Sequence, residues 1–306
     1  MPSRRMLLVL VAILGVAAVS IGVVVTEIGN SNVVAQAPVV RAHPNLGPFE
    51  GLGAWIDIYD KTAWRQPELT VADLAANGVR TLYLQTGNDS RPTAIVKPKG
   101  VTAFLDAAHA AGLNVVAWYL PSLVDTATDL QRVEVAVGLT TAAGNRFDGF
   151  GLDIESAAVS DPTQRTVRLL RLSDEIRSVT GPTYPLGAIT PSPHGLVAHP
   201  HYWPKFPYPE LALRYDAFLP MTYFTWRDKT TTSPKDYVLE SMQILRAAVG
   251  SDAVPIHVIG GIAQDASMGG IGGFVSGVRA VGVIGESLYS YPGVTEPMWA
   301  KLATLP

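Results

Sequence analysis

Two carboxylates, Asp153 and Glu155, stand one residue apart in the run FDGFGLDIES, residues 147–156. On an extended strand, residues i and i+2 share a face, and their Cα atoms lie about 6.5–7 Å apart. Two acids that close at an enclosed site push their pKa values apart, so that one stays ionised and the other keeps a proton near neutral pH. A proton donor beside a negative charge suits the cleavage of a glycosidic bond. The acid protonates the leaving oxygen, and the charge stabilises or attacks the cationic centre left behind. Asp57, at the end of an earlier apolar run, supplies a third acid.

These acids need a frame. From Gly51 onward, strand-like runs alternate with helix-length segments. The strand candidates are 53–59, 80–86, 114–120, 147–155, 185–190, 216–224, 255–261 and 282–290. Helical segments fit between them. Thr70 would cap ELTVADLAANG, which Gly78 stops, and VTAFLDAAHAAG stops at Gly112. Asp161-Pro162 opens a helix to Gly181, and Ser233-Pro234 opens another to Gly250. TEPMWAKLATL closes the chain, and MGGIGGFVSGV (268–278) reads as a helix start at the rim. A cap, a first-turn proline and a terminal glycine are the expected punctuation. Eight such units over about 255 residues predict an α/β fold, the (β/α)8 TIM barrel. An open doubly wound sheet would carry a glycine-rich phosphate loop after its first strand. Asp57-Ile58-Tyr59-Asp60 stands there instead.

Strand parity then assigns faces. Ile56, Ile58, Leu82, Leu84, Phe150, Leu152 and Ile154 fall on the helix side. Trp55, Asp57, Tyr59, Thr81, Tyr83, Gln85, Gly151, Asp153 and Glu155 fall toward the barrel axis. The polar inward residues come late in their strands, at the face where barrels of this kind carry active sites. Between strands five and six, residues 191–214 hold six prolines, three histidines and four aromatics with no helical period. Loops of this length often form binding walls, and His194, His199, Tyr202 and Trp203 could line a sugar groove.

Other chemistries are weakly supported. The chain has no cysteine, so no disulfide framework or thiolate metal site is possible. His199-Pro200-His201 lacks a neighbouring acid and is a poor metal pair, so no metal or other cofactor is expected. Ser192 and Ser290 lack a nucleophile elbow, and 268–278 lacks the Lys-Ser/Thr of a phosphate loop. His257 reads as a satisfied core residue, and Glu286, midway along strand eight, reads equally as a buried, hydrogen-bonded structural acid or as a catalytic one. The net charge of the 306 residues is -3 without a long basic block, which gives nucleic-acid binding no electrostatic support.

The N-terminus is of a different kind. Arg4 and Arg5 precede an apolar run from Met6 to Val25, long enough as a helix to span roughly 30 Å of hydrocarbon. The flanking arginines would send the remainder out of the cytoplasm. Ala35-Gln36-Ala37 offers an A-x-A cleavage site, but Pro38 follows it. An uncleaved anchor is therefore preferred to a cleaved signal peptide. The expected organisation is 1–37 signal anchor or signal peptide, 38–50 linker and 51–306 barrel, exposed outside the cytoplasm as a membrane-attached or secreted monomer.

The stretch Asp148-Gly149-Phe150-Gly151-Leu152-Asp153-Ile154-Glu155 resembles the strand-four signature D-G-x-D-x-D-x-E of the family 18, chitinase-like glycoside hydrolases. Met221-Thr222-Tyr223 resembles their strand-six M-x-Y. The resemblance implies that Glu155 is the general acid, that Asp153 orients the N-acetyl group of the substrate, which serves as nucleophile, and that Tyr223 helps to hold that group. Two positions depart from the pattern. Gly151 replaces the middle aspartate, and Phe224 replaces the aspartate after the tyrosine. The usual strand-eight tryptophan is also not evident, and Tyr289 or Tyr291 could take its place. The D-x-E pair, with Asp57 on strand one, also resembles family 25 muramidases. Ile259-Gly260-Gly261-Ile262-Ala263-Gln264 has no carboxylate where the large retaining clan keeps one.

The expectation is thus an extracytoplasmic glycosidase acting on a polysaccharide or oligosaccharide, with Glu155, Asp153 and Tyr223 catalytic. Trp55, Asp57, Gln85, Tyr119, His194, Trp203 and Tyr289 are expected to contact substrate. The alternative is a degenerate barrel that binds carbohydrate without cleaving it.

Overall fold

The computed structural model describes residues 45–230 and 232–305. The proposed anchor and most of the linker lie outside them. Among the described residues, no helix is long and apolar enough to cross a membrane.

Eight parallel strands follow one another around the sheet: β1 (Gly51–Ile56), β2 (Thr81–Asn88), β3 (Asn114–Leu120), β4 (Gly149–Asp153), β5 (Leu186–Thr190), β6 (Ala217–Pro220), β7 (His257–Ile262) and β8 (Gly285–Tyr289). β1 pairs with both β2 and β8, and β8 pairs with β7. Parallel bridges Phe218–Ile256 and Met221–Ile259 link β6 to β7 and complete the ring. The expected (β/α)8 barrel is the observed fold.

The connecting helices are α1 (Pro67–Ala76), α2 (Pro98–Ala110), α3 (Thr126–Gly138), α4 (Pro162–Thr180), α5 (Pro193–Ala198), α6 (Tyr208–Ala212), α7 (Pro234–Val249), α8 (Met268–Val281) and α9 (Glu296–Leu302). Asp161 caps α4 and Ser233 caps α7 through their side-chain oxygens. Gly78, Gly112, Gly181 and Gly250 take positive φ at the stops, a conformation that costs glycine little. Thr70 is no cap. It lies buried inside α1, which begins at Pro67 behind Gln66. The 191–214 excursion is also not free of helix, since α5 and α6 lie within it.

Two apolar layers follow from the strand alternation. Outside the barrel, Ile56, Leu82, Leu84, Phe150, Leu152 and Ile154 pack under the helices. Inside, Phe49, Trp55, Tyr83, Val116, Trp118, Ile189 and Leu219 fill the axis. Phe49 closes the lower end. A Cβ on Gly187 would stand 2.9 Å from its ring, so the glycine is the space that the plug occupies. Above it, the Trp55 indole stacks on Tyr83 with centroids 4.2 Å apart and gives its N–H to Ser287 Oγ at 2.8 Å. Ser287 Oγ lies 2.9 Å from His257 Nε2, and His257 Nδ1 lies 2.9 Å from the Phe49 carbonyl. The carbonyl can only accept, so Nδ1 carries the proton and Nε2 accepts from Ser287. Burial, against the help of that carbonyl, pushes His257 down to about 4. It is the satisfied core histidine that its early place in β7 predicts.

Candidate active site

The mouth is built at the strand ends. Phe150, Leu152 and Ile154 anchor β4 on the helix side, which turns Asp153 and the following Glu155 toward the axis. β4 stops at Asp153, two residues short of the expected strand. The Ile154 N–H still bonds the Ile189 carbonyl at 2.8 Å, so the chain holds its direction as far as Glu155. The Tyr202 hydroxyl then donates to the Glu155 carbonyl and ties the acid's backbone to the excursion. A bulge in β2 between Gln85 and Gly87 brings both Gln85 and Asn88 to the same mouth. Bulges commonly re-aim side chains in this way beside functional sites.

Asp153 is 5% exposed, and its Oδ1 is buried without a hydrogen-bond partner. Burial, and secondarily the charge of Glu155, holds its carboxyl well above the usual carboxylate range. Glu155 reaches solvent at the rim, and desolvation by the surrounding protein raises it less. The pair thus retains a proton at a pH where isolated carboxylates have lost theirs. Tyr223, buried beside them, is also raised, by burial first and then by the two acids. It stays a neutral hydroxyl.

Asp153, Glu155 and Tyr223 line one cavity of about 370 Å3, together with Gln85 and Tyr289. Tyr289 donates to Asp57 Oδ2 at 2.8 Å, and Asp57 Oδ1 accepts the N–H of Tyr59 at 2.7 Å. Asp57 therefore acts at the mouth through Tyr289. Gln85 Oε1 accepts the Ile58 N–H at 2.9 Å. A second cavity of about 300 Å3 adjoins the first and shares Glu155, Met221, Tyr223 and Trp226 with it; Ser192, His199 and Tyr202 of the excursion wall it. A larger cavity of about 530 Å3 lies between α7 and α8. It has no paired acids, so the mouth is the stronger candidate site.

Four expected contacts lie elsewhere. Tyr119 packs on the helix side, and its hydroxyl donates to Asp129 at 2.6 Å. The inward residue of β3 is its neighbour Trp118, which pairs in register with Gln85. Trp203 is buried beneath Arg165, 4.6 Å from its guanidinium, with its indole N–H on Thr166. His194 faces Glu240, with Nε2 3.2 Å from the carboxylate. Trp55 is the floor of the barrel interior, below the cleft. Sequence reasoning also missed Trp226, which is 70% exposed and stands edge-on to Tyr223 at 5.0 Å.

The departures from the family 18 pattern have physical consequences. A Cβ on Gly151 would stand 2.9 Å from Ile189 Cδ1, so the place of a lower carboxylate is filled by an apolar side chain. Phe224 turns away from the mouth and stacks on Phe274, centroids 5.7 Å apart. A Cβ on Gly261 would collide with the Phe224 ring at 2.8 Å. Glu286 shares its register position with Leu52 and Val258 on the helix side, where burial pushes it up to about 7. Among the described residues, no cluster of three or more His, Asp and Glu is placed to hold a metal.

No family model matches the sequence, and no curated protein does. Solved structures share its fold. A class V chitinase from Pseudomonas fluorescens Pf-5 is 12% identical, with a TM-score of 0.60 over 83% of this chain and 99% of its own. The Bacillus cereus spore cortex-lytic enzyme SleL is 12% identical, with a TM-score of 0.60 over 83% of this chain and 73% of its own. An endo-beta-1,4-mannanase from Thermotoga petrophila is 11% identical, with a TM-score of 0.58 over 81% and 69%. The chain is a barrel of the type that glycoside hydrolases use, and at these identities the likeness is one of fold.

Proposed function

We propose that the protein is a glycosidase that cleaves an extracytoplasmic polysaccharide, working as a monomer attached through its N-terminal segment or released from it. The observation that carries this reading is the convergence of Asp153, Glu155 and Tyr223 on one open cleft at the strand ends. The proton that the pair shares passes through Glu155, the acid nearer solvent, to the bridging oxygen as the bond from that oxygen to the anomeric carbon breaks, and Asp153 is left ionised. Asp153 offsets the positive charge or orients a substrate amide that captures it. Water then adds to the anomeric carbon and returns a proton to Glu155. The fold neighbours, which carry chitinase, mannanase and cortex-lytic names, support the class and leave the sugar open.

The soluble part, from about residue 40, should release sugar from a panel that includes peptidoglycan and chitin oligomers. E155Q should lower the rate about 10²–10⁴-fold, the usual contribution of a positioned acid. Full activity in both E155Q and D153N would sink the assignment. The filled space above Gly151 favours one second reading, a carbohydrate-binding barrel without turnover. Tight binding of the same oligomers with no sugar release would establish it.

A further inference from the structure

Resting on the glycosidase proposal, we infer that the substrate is an uncharged glycan chain lying across both cavities, with Trp226 as the ring over which it passes. The two cavities differ chemically. Asp153 lines only the first, along with Trp118 and Tyr289. Two residues of that lining each carry a buried polar atom, the acceptor Asp153 Oδ1 and the donor Trp118 Nε1, that lacks a hydrogen-bond partner in the protein. Unmatched buried groups are costly, and a ligand with one donor and one acceptor would satisfy them together. A sugar hydroxyl or amide has that composition.

The first cavity therefore holds the sugar whose anomeric bond is broken. Glu155 lies on the boundary, where the bridging oxygen must be. The second cavity, walled by Ser192, His199, Tyr202 and Tyr237, takes the leaving part of the chain. Trp226 lines both. Its exposed indole gives an apolar face to sugar rings on either side, while Tyr223 supports its edge. No lysine or arginine lines either cavity, whereas Asp153 and Glu155 do. A uronate or sulfated chain would meet these acids without a compensating cation.

The test is kcat/KM for chitin and mannan oligosaccharides of two to six units, with an oligogalacturonate as the charged control. For the neutral series that is cleaved, kcat/KM should rise roughly tenfold or more until both cavities are filled. W226A should flatten that rise, acting mainly through KM. H199A should shift the position of cleavage along the chain. Length-independent kcat/KM, an equal loss in W226A at every length, or equal use of the oligogalacturonate would overturn the inference. If wild type releases no sugar, titration of the same oligosaccharides separates the two claims. Affinity that grows with length and is lost in W226A upholds the cleft and removes the catalysis. Affinity that ignores length removes the cleft.

Discussion

The two ends of the barrel treat their carboxylates in opposite ways. At the lower end, Asp216 accepts from Arg177 Nη2 at 2.8 Å and from the Leu186 N–H at 2.9 Å. Asp148 accepts from the Val115 N–H at 2.7 Å and faces His109 Nε2 at 2.9 Å. At the mouth, the buried Asp153 faces another acid, Glu155, in place of a cation. Nothing in stability alone explains an unpaired acid in a dry place, because burying one costs free energy. Sites that must bind something else commonly accept that cost.

The same substitution, Asp to Asn, should therefore have opposite effects at the two ends. D216N strips a charge from a buried pair, and breaking such a pair costs about 3–5 kcal/mol. It should lower thermal stability severely, and sugar release should fall only as far as folded protein is lost. D153N removes an acid whose ionised form burial disfavours. It should gain about 1 kcal/mol at neutral pH, roughly 2–4 °C in Tm for a domain of this size. Its activity should nevertheless fall on the order of a hundredfold. Calorimetry and sugar release on both variants check the pair. A D153N protein less stable than wild type would show that Asp153 is a structural residue like Asp216.

How much of this contrast was legible in sequence depends on the strand. β1, β2 and β4 carry large apolar residues at alternate positions, so parity placed Trp55, Gln85 and Asp153 on the correct face. β3 reads NVVAWYL, apolar on both faces, so its pattern does not distinguish Trp118 from Tyr119 as the inward aromatic. A strand buried on both sides gives no alternation to read. The excursion failed for another reason. Whether Trp203 faces a groove or the core is settled by Arg165, a buried guanidinium from α4 that bonds the Val159 and Tyr202 carbonyls. No local pattern announces a contact so distant in sequence. Trp226 was missed because it follows the motif by three residues, in a short turn without periodicity.

The next effect concerns the histidine inside the barrel. His257 has a folded pKa of about 4, below the ordinary 6.5. Between those values the unfolded chain binds a proton that the folded protein refuses, so stability falls as the pH drops from 6.5 to 4. Over the full window this amounts to about 3 kcal/mol. H257Q should be less stable at pH 7, because Ser287 and the Phe49 carbonyl lose their partner. Its stability should, however, decline less steeply across that window. An equally steep decline would place the acid sensitivity elsewhere, in the carboxylates.

His109 should titrate with the opposite sign and the smallest amplitude. Partial burial lowers its affinity for a proton, but hydrogen bonds to Asp148 and Asn145 outweigh that and raise it overall. The folded state then holds a proton more tightly than the unfolded chain does. This contribution is fully present below about pH 6.5 and is lost as the pH climbs through the raised value. The imidazole and its partner acid are both partly exposed, so solvent screens the pair and the effect is modest. H109Q should remove a small fall in Tm between pH 6 and 8 while leaving the decline below pH 6.5 intact. That separation matters because the two histidines titrate on either side of the same pH. Only the inner one reports on the floor beneath the cleft, so a ligand filling the mouth should leave the His109 slope unchanged.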